Sequence, residues 1–379
     1  MKFSCTKENL ARGLFFTAHI AGKTNALPIL GNVLLEAKES ALSLVSTNLE
    51  IGVRASVRGK VEREGSFTVN AKLLSEYVSL LPNGRVDIEL TDAKEGASAA
   101  LAIKAGEHET TILGNSPEEF PLLPNIERTI TVAVLAKDLR GALSQVLFSC
   151  AQDEGRPELQ GIFVHIEQLI FTLAATDSFR LAEKKISLNQ VLVHPSPFSA
   201  IIPSRSLTEL ARILGVFEAQ SPIELSFATN QVMAAAEGVE FLSRLVDRKY
   251  PDYAQVIPKA ALTTARLPKT ELLTAVRSAS LFCRSGVNDV RLTLSNTGVT
   301  VAASGAKGTQ SARVPGEING PDAALVLNAR YLLEGLAAID SLNVRLEVSS
   351  TSSPCVLRAA DVGEPLPNPY LYLIMPIKQ

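Results

Sequence analysis

No run in this chain approaches the ~20 consecutive apolar residues that span a bilayer, although its hydrophobic content, 46%, is high for a soluble protein. The opening residues, Met1-Lys2-Phe3-Ser4-Cys5-Thr6, lack the apolar core and small-residue cleavage site of a secretory leader. The expected location is therefore the cytoplasm, with no membrane partner. Cysteine is scarce: Cys5, Cys150, Cys283 and Cys355 lie far apart, with no C-x-x-C pair. That spacing argues against a disulfide framework or zinc site and for buried, reduced thiols. His19, His108, His165 and His194 are scattered, and none pairs with a cysteine at metal-ligand spacing. Neither sign of charge dominates, with 37 Lys and Arg against 39 Asp and Glu. Proteins that hold nucleic acid by neutralising phosphates are usually basic. The balance thus argues against tight nucleic-acid affinity, but not against retention by enclosure.

Motifs that carry chemistry are missing as well. Gly22-Lys23-Thr24 resembles the end of a phosphate-binding loop, but Thr17 occupies the position of the required first glycine, and the segment follows a helical pattern rather than a strand. No H-E-x-x-H, G-x-S-x-G or dinucleotide fingerprint occurs. Asp153 and Glu154 read as a polar loop. The expectation is no active site, no cofactor and no metal.

What the chain does have is a repeat. Three segments open on lysine and continue as an apolar-periodic run: Lys7 through Ile20, Lys137 through Cys150, and Lys269 through Cys283. Their starts lie ~130 residues apart, the size of a small domain. In the second, Leu139, Leu143, Val146, Leu147 and Cys150 fall on one face of a helix. Of the residues before the lysines, Thr6, Ala136 and Pro268, only Thr6 is a good N-cap.

Each run precedes two strand-like segments joined by a short polar turn: 32–37 with 41–47, 161–166 with 169–176, and 289–294 with 298–304. A further strand then leads into a second helix, predicted over 71–81, 204–214 and 329–339, with more strands behind it at 85–90, 223–227 and 344–348. The fold class is α+β, three repeated domains with helices on one face of antiparallel sheets. Proline-rich connectors, Phe120-Pro121-Leu122-Leu123-Pro124 and Tyr250-Pro251-Asp252-Tyr253 through Pro258, separate them. The expected domains are 1–126, 127–257 and 258–379.

Two surface features stand out. Arg140 lies on a first helix, Arg205 and Arg212 lie seven residues apart on a second, and Arg277 and Arg330 take similar places in the third repeat. If corresponding helices face a common channel, these cations meet phosphates without reading bases. The tail Leu371-Tyr372-Leu373-Ile374-Met375-Pro376-Ile377 is apolar where chains usually fray. Its first half reads as a core strand and Met375-Pro376-Ile377 as part of a docking surface.

At four places the residues resemble signature segments of the bacterial β clamps, the β subunit of the replicative DNA polymerase. These are Leu27-Pro28-Ile29-Leu30-Gly31-Asn32, Ala175-Thr176-Asp177-Ser178-Phe179-Arg180-Leu181-Ala182, Tyr250-Pro251-Asp252-Tyr253 and Tyr372-Leu373-Ile374-Met375-Pro376. The resemblance covers essentially the whole chain. It implies a head-to-tail homodimer of three-domain protomers, a six-domain ring with helices lining the hole and sheet edges pairing between protomers. The implied partners are duplex DNA held topologically, the replicative polymerase, a clamp loader, and repair and replication proteins carrying clamp-binding peptides. The implied peptide pocket comprises Leu159, Thr176, Phe179, Arg180, Leu181, Pro251, Gln255, Val256, Asn328, Tyr331, Ser352, Pro354, Leu373, Ile374, Met375, Pro376, Ile377 and Lys378. Its DNA-facing counterparts would include Arg156 and Arg205, with Lys23 substituting for the arginine that Thr24 replaces. Leu281 and Phe282 match the family's dimer contact. Ser178, Phe179, Gln255 and Val287 depart from the usual glycine, histidine, basic and aromatic residues.

The leading expectation is a non-catalytic clamp that tethers polymerase to DNA. A clamp-fold peptide scaffold that no longer loads on DNA is the alternative. An enzyme whose site is assembled from residues distant in sequence is a third reading.

Overall fold

The computed structural model describes all residues except 23–26, 92–98, 125, 154, 189–190, 194–196, 285, 361–368 and 378–379. Six α-helices are found among them: α1 (Lys7–Thr17), α2 (Ala71–Leu80), α3 (Ala136–Val146), α4 (Ser204–Leu214), α5 (Lys269–Ser280) and α6 (Ala329–Ala338). They pack in pairs, α1 on α2, α3 on α4 and α5 on α6. The helix–strands–helix–strands order predicted from the sequence recurs in all three repeats.

The second helices match the predicted ranges to within one residue, whereas the first helices end three or four residues short of them. The reason is the same each time: the apolar face continues, but the last turn tightens into shorter-range hydrogen bonds. After α1 the Ile20 N–H bonds Thr17 O at 3.1 Å, after α3 Cys150 N–H bonds Leu147 O at 3.2 Å, and after α5 Cys283 N–H bonds Ser280 O at 3.4 Å. Thr6 caps α1 as expected, its Oγ1 accepting from Asn9 N–H at 3.3 Å.

The lysine in the first turn of each first helix has a role in the fold. Its backbone N–H bonds the turn behind the second helix of the same repeat: Lys7 to Gly84 O at 2.8 Å, Lys137 to Ala219 O at 3.1 Å and Lys269 to Leu342 O at 2.9 Å. In the third repeat the Lys269 ammonium also donates to Ile339 O, the C-cap of α6, at 2.7 Å. A cation is poorly placed at its own helix N-terminus but well placed at the C-terminus of the antiparallel neighbour.

The chain divides into two compact units, Met1–Val134 with Gln220–Leu245, and Leu135–Ala219 with Val246–Gln379. In the first, antiparallel strands run in the order Lys2–Thr6, Arg85–Thr91, Ala100–Ala105, His108–Asn115, Gly65–Asn70, Asn32–Lys38, Ala41–Thr47 and Ile51–Arg63. Lys2–Thr6 also pairs with Ile51–Arg63, closing a circuit around a core of Phe3, Leu10, Leu14, Leu35, Leu44 and Leu74. Ile51–Arg63 then pairs with Val239–Arg244 of the second repeat, Phe241 opposite Val53. The second unit repeats this device. Strand Arg180–Ser187 of the second repeat pairs with Tyr370–Ile374 of the third, Leu181 opposite Leu373, within one nine-stranded sheet. Strands Ala323–Asn328, Asp289–Ser295, Gly298–Gly305 and Gly308–Val314 form a separate four-stranded sheet with Gly308–Val314 on its edge.

The expected apolar tail is a strand, Tyr370–Ile374, buried at every position. Tyr372 is fully buried and lies against α6, where Gly335 makes room: a Cβ there would stand 2.0 Å from the Tyr372 ring. Mid-helix glycine costs ~1 kcal/mol relative to alanine, and here that cost admits the ring. The Tyr372 hydroxyl donates to Tyr331 O of α6 at 2.9 Å. Cys5, Cys150 and Cys355 are buried, and burial pushes each thiol up to about 12; Cys283 is half-buried. Replacing Gly335 by alanine should lower stability by about 2 kcal/mol, the helix-propensity gain being outweighed by overpacking against Tyr372. A denaturant midpoint equal to or above that of the parent chain would refute this contact.

Candidate peptide-docking site

The segment 176–180 is folded by its own side chains. Thr176 Oγ1 donates to Arg180 O at 2.6 Å and accepts from Ser178 N–H at 3.1 Å. Asp177 Oδ1 accepts from both Phe179 N–H and Arg180 N–H at 3.0 Å, an Asx turn. Ser178 takes φ +77°, the conformation for which glycine is the ordinary solution. The turn is held from outside by Tyr250, whose hydroxyl accepts from Thr176 N–H at 3.1 Å and whose ring stacks on Phe163 at 5.1 Å.

Arg180 follows the turn and is 6% exposed. Its Nε donates to Asp177 Oδ2 at 2.9 Å, one terminal nitrogen donates to Glu334 of α6, and the other donates to Phe148 O. The guanidinium lies 4.4 Å from the Tyr331 ring centroid and 5.4 Å from that of Phe148. Both carboxylates, a carbonyl and two aromatic faces thus surround one buried cation, the arrangement that makes burying a charge tolerable.

Above this cluster opens a cavity of about 440 Å³. Leu159 is its buried floor, and Arg156, Ser178, Phe179, Arg330 and Tyr331 stand around it. Beside it runs an apolar strip. Leu181 and Leu373, opposite one another, pack with Val356 and Leu371 beneath Tyr253 and Ile257. Two residues further along the same sheet face come Phe179 and Met375, joined by Met375 N–H to Phe179 O at 2.8 Å. These two are exposed, as are Pro251, Gln255 and Val256 of the connector. Ile374 is buried, Pro376 and Ile377 half-buried, and Ile377 N–H is pinned to Val326 O at 2.8 Å.

The structure therefore gathers most of the residues implied for a peptide pocket, with differences in what their polar groups do. Thr176 is occupied by its own turn. Asn328 is the N-cap of α6, accepting from Arg330 N–H at 3.0 Å and Tyr331 N–H at 3.2 Å. Gln255 donates to Asp252 Oδ2 at 2.8 Å. Ser352 sits in a serine turn, its N–H on Ser350 Oγ at 3.3 Å, and Pro354 is half-buried before strand Cys355–Ala359. Val287 is exposed. Lys378, Lys23 and Thr24 lie outside the described residues.

The arginines assigned to DNA separate into two groups. Arg140, Arg205 and Arg277 are exposed on α3, α4 and α5. Arg212 is instead drawn to Glu209, its Nε on Oε1 at 2.6 Å. Arg156 stands at the cavity rim, donating to Ser178 Oγ at 3.0 Å, and Arg330 lines the same cavity while donating to Glu334 at 2.9 Å. Leu281 is 68% exposed just past α5, with Phe282 half-buried beside it. The sequence reading missed Phe148 and Glu334, the distant partners of Arg180. The Arg330–Glu334 spacing of four residues on one helix was the available signal for the latter.

Models of the DNA polymerase III beta subunit match the chain in three consecutive pieces: the N-terminal domain at residues 1–124, the central domain at 133–252 and the C-terminal domain at 254–377. The beta sliding clamp of Synechococcus elongatus is 31% identical over 100% of this chain and 99% of its own. That of Bacillus subtilis is 26% identical over 100% of both. Among solved structures, DNA polymerase sliding clamps from Pseudomonas aeruginosa and Bacillus subtilis superpose with TM-scores of 0.91, each 26% identical and covered over 99% or more of both chains. Fold and sequence together define a three-repeat clamp. The chain belongs to the DNA polymerase III beta subunit family.

Glu334 supplies a pH signature for the Arg180 cluster. Desolvation works to raise its carboxyl, but hydrogen bonds from Arg330 and Arg180 outweigh it and hold the group below its ordinary 4.5. A carboxylate depressed on folding stabilises above its unfolded value and loses that contribution as pH falls through the folded one. The parent chain should lose melting temperature more steeply below pH 4.5 than Glu334→Gln, which starts lower but falls less. Parallel curves would show that the pairing contributes nothing.

Proposed function

We propose that this chain works as a DNA sliding clamp, a ring that encircles duplex DNA and tethers the replicative polymerase. The observation that carries the reading is the full-length match, all three repeats in order, to beta sliding clamps. Enclosure also reconciles a DNA role with a net charge of −2: a topologically linked ring needs only weak, sequence-independent contacts. Arg140, Arg205 and Arg277, exposed on helices of the second and third repeats, supply such contacts, with Lys23 from the first. The chain is non-catalytic in this reading and relies on a separate loader to open it.

Two edges support closure by a second copy. Gly308–Val314 ends its sheet, and His108–Asn115 meets Gly65–Asn70 only at Thr68 and Val69 among the described residues. Open edges of this kind are normally covered. Pairing one with the other across protomers, head to tail, covers both of these edges. Apolar side chains accompany both: Leu113, 68% exposed, on His108–Asn115, with Leu73 and Leu80 exposed on α2, and Leu281 and Phe282 past α5 near Gly308–Val314. Polymerase and repair proteins dock through short peptides in the cavity and apolar strip around Phe179, Leu181, Leu373 and Met375.

With a cognate loader, the protein should stay on nicked circular DNA and be lost when the circle is linearised; equal retention on both would end the topological reading. Leu281→Asp should sediment as a monomer at micromolar concentration and fail to load. A dimer surviving that change would remove the proposed contact.

A further inference from the structure

Three arginines stand in one row near the end of the nine-stranded sheet. Arg266 lies opposite Arg345, and Arg345 opposite Arg358, in the register of strands Thr263–Pro268, Asn343–Val348 and Cys355–Ala359. Alternation along the strands sends Ala265, Leu267, Val344, Leu346 and Leu357 into the core and turns the arginines to the other face. Neighbouring strands lie ~4.8 Å apart, so the row starts three guanidinium-bearing side chains within ~10 Å of one another. Like charges directly opposite one another destabilise a sheet. Glu347 offsets part of this cost, accepting from Arg345 Nε at 2.9 Å and from Arg358 Nε at 3.4 Å. Arg266 donates to Ala360 O at 3.0 Å and stands 3.7 Å from Glu317, a carboxylate that is 74% exposed.

The row is also walled. Residues 258–261 of the connector stand beside the same face, tied to the sheet by Ser349 Oγ donating to Ala260 O at 2.6 Å and by Leu262 N–H on Val348 O at 3.0 Å. Between connector and sheet lies a cavity of about 420 Å³, bordered by Lys259, Thr264, Arg345, Glu347, Ser349 and Arg358. That volume is in the range of a small-molecule site. Its apolar members are Pro258, Ala260 and Ala261, none of them large enough to anchor a hydrophobic group. An occupant is therefore held by charge and hydrogen bonds. The Arg345 and Arg358 side chains are only 35% and 30% exposed, so salt screens them less than it screens a free surface cation.

We infer that this cavity binds a compact multivalent oxyanion of the phosphate class, either free pyrophosphate or the polyphosphate end of a nucleotide. A guanidinium presents paired N–H donors in a fork that matches the oxygens of a phosphate. Glu347 orients two such forks through their Nε atoms. Arg345 and Arg358 grip the anion from the sheet, Arg266 reaches its far group along the row, and Lys259 closes from the connector as a point charge. The Thr264 hydroxyl adds a neutral donor. A single tetrahedral group meets two of the guanidiniums, whereas two bridged groups meet the whole row, so the site favours the bridged anion. Binding also relieves the like-charge opposition that the row imposes on the sheet. The site shares no residue with the peptide cavity or with the arginines assigned to DNA.

The test uses the full-length protein and isothermal titration calorimetry with sodium pyrophosphate at ~0.15 M salt, where diffuse attraction is largely screened. One site per chain should appear, and orthophosphate should bind about tenfold more weakly, for want of one charged hydrogen-bonding partner. Arg358→Gln should weaken pyrophosphate by about tenfold for the same reason. Lys259→Ala, on the connector and outside every strand pairing, should weaken it several-fold without touching the sheet. Lys72→Gln, an exposed cation on α2, should leave it unchanged. Displacement of pyrophosphate by a nucleoside triphosphate supports the site with a nucleotide tail as the source, and failure to displace supports it with the free anion. Absence of saturable pyrophosphate binding, or losses in Arg358→Gln and Lys259→Ala no greater than in Lys72→Gln, overturns the site. Equal affinity for orthophosphate and pyrophosphate overturns its assignment to a bridged anion.

Discussion

A guanidinium stripped of water has to be surrounded by acceptors, and around Arg180 those acceptors come from three separate stretches of chain. Asp177 belongs to the turn that precedes it, Phe148 to the 3-10 turn after α3, and Glu334 to the middle of α6. Removing any one of them leaves a buried charge short of a partner, which costs far more than an exposed ion pair is worth. The cluster is thus less a source of stability than a constraint on geometry: it admits only one relative placement of these three segments. The cavity, the strain at Ser178 and the exposure of Phe179 all follow from that placement.

The surroundings add hydrogen bonds that point the same way. Gln145 of α3 donates to Ala338 O at the end of α6 at 2.8 Å, and the Tyr370 hydroxyl donates to Gln145 O at 3.0 Å. Tyr253 donates to Glu183 at 2.7 Å, and burial first, then the Glu183 charge, drives its phenol far above the ordinary range. It stays a donor at any physiological pH. The second and third repeats are therefore joined by neutral and charged bonds sheltered from solvent. Between the first and second repeats, beyond the strand pairing, the side-chain links are more open ion pairs, Arg12 with Glu237 at 2.6 Å and Arg54 with Glu240 at 2.8 Å. Salt screens the latter kind far more than the former.

The threefold plan was legible because it is written in periodicity: helical faces, alternating strands and polar turns recur at a fixed spacing. The strands Lys2–Thr6, Ile130–Leu135 and Thr263–Pro268 escaped notice because each runs straight into a helix, its last residue occupying the N-cap position, with no turn residue to mark the change. First-helix ends were overdrawn because a tightened turn keeps apolar side chains on nearly the same face. The docking site was visible only through short segments shared with a known family. Which of those segments touch is a long-range matter: Phe148 and Glu334 reach Arg180 across 32 and 154 residues of sequence. Nothing local encodes that.

The strand pairings between repeats carry a consequence for how such a chain can be divided. The second repeat contributes Val239–Arg244 to one sheet and Arg180–Ser187 to another, so its two halves belong to different compact units. Cutting at either proline connector would leave a long row of backbone donors and acceptors facing water, an invitation to pair with whatever strand is near. A lone repeat of this design could satisfy itself only by finding more of its own kind. Covalent fusion holds the repeats at a fixed effective concentration, so contacts that separate repeats would make only by mass action persist in this chain at any dilution.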